Sequence, residues 1–218
     1  MYFYPEIRKT EMGNKVFLEI KNRIAVLSSA GKNLLIGIGG PGGTGKTNFT
    51  KQMLDFFPSS RMISLDDYRF SRESRKQSGL KGSDPCANKI ELIKQHLNLI
   101  KENSAFTKPV YNPETGCDNE TELFNPAKIN FIEGELVFFS GLVNYFDLLI
   151  HIDSDKQTQF KSRLNRDKVN KSLSMSEVQE IFLKSNVEDY EKHYKPNIQK
   201  ADILLFADNN YNISIIKK

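Results

Sequence analysis

Leu34-Leu35-Ile36-Gly37-Ile38-Gly39-Gly40-Pro41-Gly42-Gly43-Thr44-Gly45-Lys46-Thr47 is the stretch that decides the fold. An apolar run feeds a G-x-x-x-x-G-K-[ST] loop from Gly40 to Thr47, and a helix is expected over Asn48–Phe57. Glycines let the backbone curl until successive N–H groups face inward, where they can cradle phosphate oxygens in front of a helix N-terminus. Lys46 is then expected to reach the β- and γ-phosphates of a nucleotide, and the Thr47 hydroxyl to ligate magnesium. Nucleotide contacts are expected from Gly40, Pro41, Gly42, Gly43, Thr44, Gly45, Lys46, Thr47 and Asn48. The same glycines also spell Gly37-x-Gly39-x-x-Gly42, a dinucleotide-binding pattern. The Lys-Thr ending, and the lack of an acid closing a following strand, favour the phosphate-loop reading.

Outward from this loop, 218 residues suit one domain with a real core. The 31 basic and 27 acidic residues leave a net charge of +4, spread along the chain. That dispersion argues against nucleic acid as a partner and suits small anionic ligands. Cys86 and Cys117 lack metal-ligand spacing and read as free thiols of a reducing compartment. No leader pattern opens the chain, and the apolar stretch from Leu136 to Ile152 is broken by Asn144, Asp147 and His151. The expectation is a cytoplasmic protein without a membrane anchor.

Ahead of the loop, Val16, Ile20, Ile24 and Leu27 fall at helical spacing. Behind it, Arg61–Leu65 reads as a second strand that delivers Asp66-Asp67-Tyr68-Arg69 to its carboxyl end. Ligands of open parallel sheets bind at that end, and a carboxylate there can accept the proton of an attacking hydroxyl. A basic segment from Phe70 to Ser83 follows, then Asp84-Pro85-Cys86-Ala87-Asn88 opens a helix with Ile90, Ile93, Leu97 and Ile100 on one face. His96 on that helix reads as exposed, and Lys108–Gly116 as a turn-rich loop carrying Tyr111. Lys128–Ile132 reads as a third strand ending in Glu133-Gly134, an acid placed to hold magnesium directly or through water. Leu148–Asp153 and Ile203–Ala207 read as the fourth and fifth strands. Between them lie a helix over Lys156–Asp167, with Arg163 and Arg166 on one face, and a second over Ser174–His193 behind the capping-box candidate Ser174-x-x-Glu177. The tail Asp208–Lys218 reads as peripheral.

Taken in order, the phosphate loop, Leu65-Asp66-Asp67-Tyr68-Arg69, Pro109-Val110-Tyr111, Phe131-Ile132-Glu133-Gly134 and Arg163-Leu164-Asn165-Arg166-Asp167 resemble the uridine kinase and phosphoribulokinase family of P-loop kinases. The resemblance runs from about Leu34 to about Ala207. It implies a P-loop NTPase three-layer α/β/α sandwich with a five-stranded parallel sheet and a helical lid. An N-terminal helical extension would occupy residues 1–33 and the kinase domain residues 34–218. The implied reaction moves the γ-phosphate of ATP, with Mg2+, to a hydroxyl of a nucleoside, first uridine or cytidine. A sugar phosphate, pantothenate or nicotinamide riboside are the alternative acceptors, and a regulatory P-loop ATPase the alternative of another class.

On the family pattern, Asp66 is the catalytic base, Glu133 the magnesium-associated acid, and Arg163 and Arg166 the lid arginines. Tyr111 matches the tyrosine that contacts the nucleoside, Tyr68 and Arg69 follow the base as substrate contacts, and Asp84 is a further substrate contact. Two departures stand out. Asn112-Pro113-Glu114-Thr115-Gly116 replaces the Asp-Phe and histidine that follow the tyrosine in uridine kinases. Asp167-Lys168-Val169-Asn170-Lys171 replaces a second Arg-Gly-Arg cluster, which leaves Lys168 or Lys171 to substitute. The expected partners are ATP and a small acceptor, with a homo-oligomer compatible.

Overall fold

The computed structural model describes residues 11–28, 31–80, 83–171 and 173–217. In chain order its principal elements are α1 (Glu11–Ser28), β1 (Leu34–Gly39), α2 (Lys46–Phe56), β2 (Arg61–Ser64), α3 (Arg72–Gln77), α4 (Ile90–Lys101), β3 (Phe106–Val110), β4 (Glu120–Phe124), β5 (Ile129–Glu133), β6 (Leu148–Asp153), α5 (Lys156–Lys171), α6 (Met175–Phe182), α7 (Tyr190–His193), β7 (Ile203–Ala207) and β8 (Ile213–Lys217). The main sheet runs β2-β5-β1-β6-β7-β8. Its first five strands are parallel, as expected, and β8 adds a sixth, antiparallel to β7.

Buried on both faces, the central strands lack a polar side and alternate their apolar residues between two cores. Leu35, Ile132 and Leu149 point to one core, with Leu97 and Ile100 of α4, Phe106, and Tyr190 and Tyr194. Leu34, Ile36, Ile38, Phe131 and Ile150 point to the other, with Phe49 and Met53 of α2 and Val16, Phe17, Ile20 and Ile24 of α1. Helices thus cover both faces of the sheet, the three-layer arrangement expected. The apolar stripe of α1 packs as its spacing predicts, and Phe17 stacks on Phe49 at 5.1 Å. Among the described residues no helix is long and apolar enough to cross a membrane.

Three local expectations need correction. The tail is not peripheral: Ile213 and Ile215 alternate inward along β8, a period-2 pattern too short to stand out beside its polar neighbours. The turn-rich loop lies three residues further along than read, because Phe106–Val110 pairs with Glu120–Phe124 in a hairpin, which puts Lys108, Pro109 and Val110 in a strand and leaves residues 111–119 as the connection. His96 is buried rather than exposed, since its ring stacks on Phe106 at 4.2 Å and its Nδ1 is hydrogen-bonded to the Tyr68 hydroxyl at 2.8 Å. The capping box at Ser174 and Glu177 does form. The helix behind it is interrupted, however, by a π-helical turn over Leu183–Asp189 before it resumes as α7.

Candidate active site

β1 leaves the sheet at Gly40, whose φ of 146° and whose missing side chain both matter. A Cβ there would lie 2.0 Å from the Ile152 carbonyl oxygen, so the chain can turn at this point only with glycine. The loop closes on Pro41, whose carbonyl accepts from Lys46 Nζ at 2.8 Å and from Thr44 Oγ1 at 3.1 Å. Gly45 caps α2 in a left-handed conformation, so Lys46, Thr47 and Asn48 form its first turn behind the cradle.

Three strand ends bring the remaining chemistry to this loop. Register pairs Glu133 of β5 with Ile38 of β1 and with Ser64 of β2. The Glu133 carboxylate is buried and accepts from Ser64 Oγ at 2.7 Å and from the Thr47 hydroxyl. Burial, and next the negative charge of Asp66, push its pKa up; Lys46 and the two hydroxyls pull the other way. Thr47 and Glu133 therefore share one point, an oxygen-only donor set that fits magnesium completed by phosphate oxygens. Among the described residues no cluster of three or more His, Cys, Asp or Glu side chains is placed to hold a metal ion.

A glutamate raised in the folded state binds its proton more tightly there than in the unfolded chain. Its contribution to stability is present below the unfolded value of 4.5 and is lost as pH climbs through the folded value. Glu133→Gln is therefore expected to melt higher than the parent at pH 8, by a few degrees (~2–4 °C per kcal/mol released), with the gap closing by pH 4. Melting curves of the ligand-free proteins across that range check this. A gap that ignores pH, or a variant that melts lower at pH 8, would contradict it.

Asp66 opens the 3-10 turn Leu65–Tyr68, with its side chain 57% exposed and Oδ1 2.8 Å from the Arg69 guanidinium. Its neighbour is spent elsewhere. Asp67 binds Lys108 Nζ at 2.6 Å and faces the Tyr111 N–H, and burial raises its pKa despite the lysine. Of the two acids, Asp66 is the one that shares the mouth of the loop with Glu133. Tyr68, expected to touch substrate, is buried with its hydroxyl on His96, and it braces this turn from behind. Arg69 is held next to Asp66 and close enough to Glu135 to feel its negative charge, with Tyr111 and Tyr194 nearby. Asp84 caps the turn Pro85–Ala87 by accepting from the Cys86 N–H at 2.8 Å.

Arg163 of α5 lies over the loop crest: its guanidinium is 2.8 Å from where a Cβ on Gly42 would stand, with Glu135 Oε1 at 3.1 Å and Asn186 Oδ1 at 3.2 Å. The side chains of Arg166, Lys168 and Lys171 lie outside the described residues. Glu135, Gln159, Asn186, His151 and Tyr190 are site residues that motif reading missed. His151 pairs with Gly39 in the sheet, and its Nε2 is hydrogen-bonded to the Tyr190 hydroxyl at 2.5 Å. Burial, with Lys46 nearby, depresses its pKa to about 4, so it stands neutral beside the loop. The repeated acid in Glu133-Gly134-Glu135 was the one available signal for Glu135. Nothing local marks the others.

On the acceptor side, α3 and the hairpin frame Tyr111. Arg75 donates to the Tyr111 hydroxyl at 2.7 Å and to the Phe70 carbonyl at 3.0 Å, and Arg72 donates to the Pro113 carbonyl at 2.9 Å. Both guanidinium groups bond to neutral oxygens, and among the described residues neither forms an ion pair with an acid.

The model of the Phosphoribulokinase / Uridine kinase family matches residues 35–212. A phosphoribulokinase from Synechocystis sp. is 28% identical over 176 residues, covering 79% of this chain and 53% of that protein. A uridine kinase from Borreliella burgdorferi is 29% identical over 175 residues, covering 78% of this chain and 85% of its own. The chain spans about half the length of the phosphoribulokinases it matches. Among solved structures, a D-glycerate 3-kinase from Cryptococcus neoformans superposes with a TM-score of 0.70 over 94% of this chain and 98% of its own, at 14% identity. Phosphoribulokinase from Rhodobacter spheroides gives 0.64 over 81% and 71%, at 16% identity. The loop, the acids at the strand ends and a family match across most of the sequence agree, and the chain belongs to the phosphoribulokinase and uridine kinase family.

Proposed function

We propose that this chain is an ATP-dependent kinase that transfers a phosphoryl group to a hydroxyl of a small acceptor. The observation that carries this reading is the meeting of Lys46, Thr47, Glu133 and Asp66 at the ends of β1, β2 and β5. Loop amides and Lys46 would hold the phosphates, and Asp66 would take the acceptor's proton as its oxygen attacks. Arg163, over the crest, would bear on the charge that spreads through the transferring group. Magnesium, held at Thr47 and Glu133 with the phosphates, would supply charge neutralisation. Little covalent work falls to the protein, so positioning and electrostatics carry the rate. Acceptor-dependent ADP release across nucleosides, sugar phosphates and hydroxy acids tests the reading. A regulatory ATPase would release ADP at one rate whatever acceptor is added.

For the acceptor we favour an anionic polyol, a sugar phosphate or hydroxy acid, over uridine or cytidine. Arg72 and Arg75 offer cationic donors that no carboxylate of the described chain neutralises, and the Asp84 carboxylate is engaged as a cap rather than presented to a ribose. The nucleoside reading keeps one support, the half-buried Tyr111 ring, on which a base could stack. Arg75→Ala is expected to raise KM for an anionic acceptor by about 10- to 100-fold, the weight of a charge-assisted hydrogen bond, with KM for ATP little changed. That KM should also rise with added salt. A best acceptor that is uncharged and indifferent to salt would sink the anionic assignment and restore the nucleoside.

A further inference from the structure

The π-helical turn Leu183–Asp189 joins the two halves of this site. Its Asn186 is fully buried, and its Nδ2 donates to the Gly42 carbonyl at 2.7 Å and to Gln159 Oε1 of α5 at 3.1 Å. Its Oδ1 accepts from Ser185 Oγ, and its backbone carbonyl accepts from Lys156 Nζ at 2.8 Å. Such complete satisfaction of a buried amide specifies one orientation. The orientation bears on phosphate binding, because C=O and N–H of a trans peptide point in opposite directions. Pinning the Gly42 carbonyl on the lid side turns the Gly43 N–H the other way.

Three residues on, the same turn holds the acceptor side. Asp189, also buried, accepts from Ser83 Oγ at 2.6 Å and from Lys184 Nζ at 2.6 Å, the latter at the five-residue spacing a π turn creates. Tyr194 adds a hydrogen bond from its hydroxyl to the Ser83 carbonyl. Ser83 leads into the Asp84–Asn88 segment, which pairs with the base-bearing turn: Phe70 N–H donates to the Ala87 carbonyl at 3.0 Å, and Lys89 N–H to the Tyr68 carbonyl at 2.9 Å. An α-helical turn would rotate Asn186 and Asp189 out of these two directions. π turns carry an extra residue at a cost to the helix and concentrate at functional sites.

We infer that Asn186 and Asp189 are positioning residues, and that their π turn is a strut through which phosphate binding at Gly42–Gly43 is felt at Ser83–Asn88. The inference rests on the reading that the loop holds ATP phosphates. Linkage makes the effect mutual, so acceptor binding would tighten ATP binding by the same factor.

Hydrogen exchange of residues 83–88, measured with and without saturating β,γ-imido-ATP and magnesium, tests it, with binding followed separately by calorimetry. In the parent protein the analogue is expected to slow exchange there by at least about threefold. In Asn186→Ala, and independently in Ser83→Ala, that response should fall below about 1.5-fold at saturation while the analogue still binds. Ser83→Ala removes one hydroxyl and keeps the strut open to refutation if Asn186→Ala does not fold. A purely structural role would speed exchange equally in both states and leave the ratio intact. An analogue that binds the parent without changing exchange at 83–88, or variants that keep the full response, would overturn the strut alone. An analogue that does not bind the parent would overturn the nucleotide reading and the strut with it.

Discussion

Asp66→Asn is expected to lower kcat at least ~100-fold while leaving the Kd for ATP within about twofold, the signature of a lost general base. Asparagine keeps the size of the side chain and its place on the Leu65–Tyr68 turn, and removes only the ability to take a proton. The neighbour cannot stand in. Asp67 is committed to Lys108 and to the Tyr111 N–H, so its carboxylate is held away from the acceptor hydroxyl by its own partners. Arg69 loses its ion pair with Asp66 but stays near Glu135, so the guanidinium is not stranded. Steady-state ADP release with the best acceptor, beside equilibrium titration of ATP, separates the two parameters. Asp67→Asn is the matched control, expected to disturb the Lys108 network and spare the proton transfer. Turnover retained in Asp66→Asn would remove it from the base role and bring Glu135 forward as the next acid at the mouth.

What could be read from the sequence was what is local or periodic. The loop from Gly40 to Thr47 needs its residues adjacent in the chain, so spacing alone placed Lys46 and Thr47 on the first turn of α2. Asp66 and Glu133 were legible because strand ends of a parallel sheet converge whatever the intervening length, and register does bring Ser64 and Glu133 side by side. What stayed hidden depends on contacts between distant segments. Asn186 touches Gly42 across 144 positions and Ser83 touches Asp189 across 106, and neither differs in type from the asparagines and serines elsewhere in the chain. His96 looked exposed because it is polar. The hairpin that supplies Phe106 buries it, and that strand was itself obscured by Pro109 within it. The π turn was invisible for a related reason: one extra residue in a helix leaves the apolar spacing on either side almost unchanged.

Lys46→Ala should lose both functions, with ATP binding weaker by about 10- to 100-fold and kcat lower by ~10²–10³, as for removal of a charged donor from a preorganised anion site. Lys46 Nζ donates to the Pro41 carbonyl, an oxygen that Thr44 Oγ1 also satisfies, so its truncation leaves that carbonyl bonded. The cost appears instead at Glu133, where Lys46 is the charge that opposes burial. Without it the carboxylate is raised further, and stability should be lost more steeply as pH rises through the folded value. The double variant Lys46→Ala with Glu133→Gln should therefore recover thermal stability at pH 8 and recover no turnover. Melting curves and ADP release on the same samples decide it. Turnover returning with stability would mean that Lys46 serves the fold alone; because Glu133→Gln also removes the magnesium-associated acid, it is the weakened ATP binding of Lys46→Ala by itself that assigns the lysine to the phosphates.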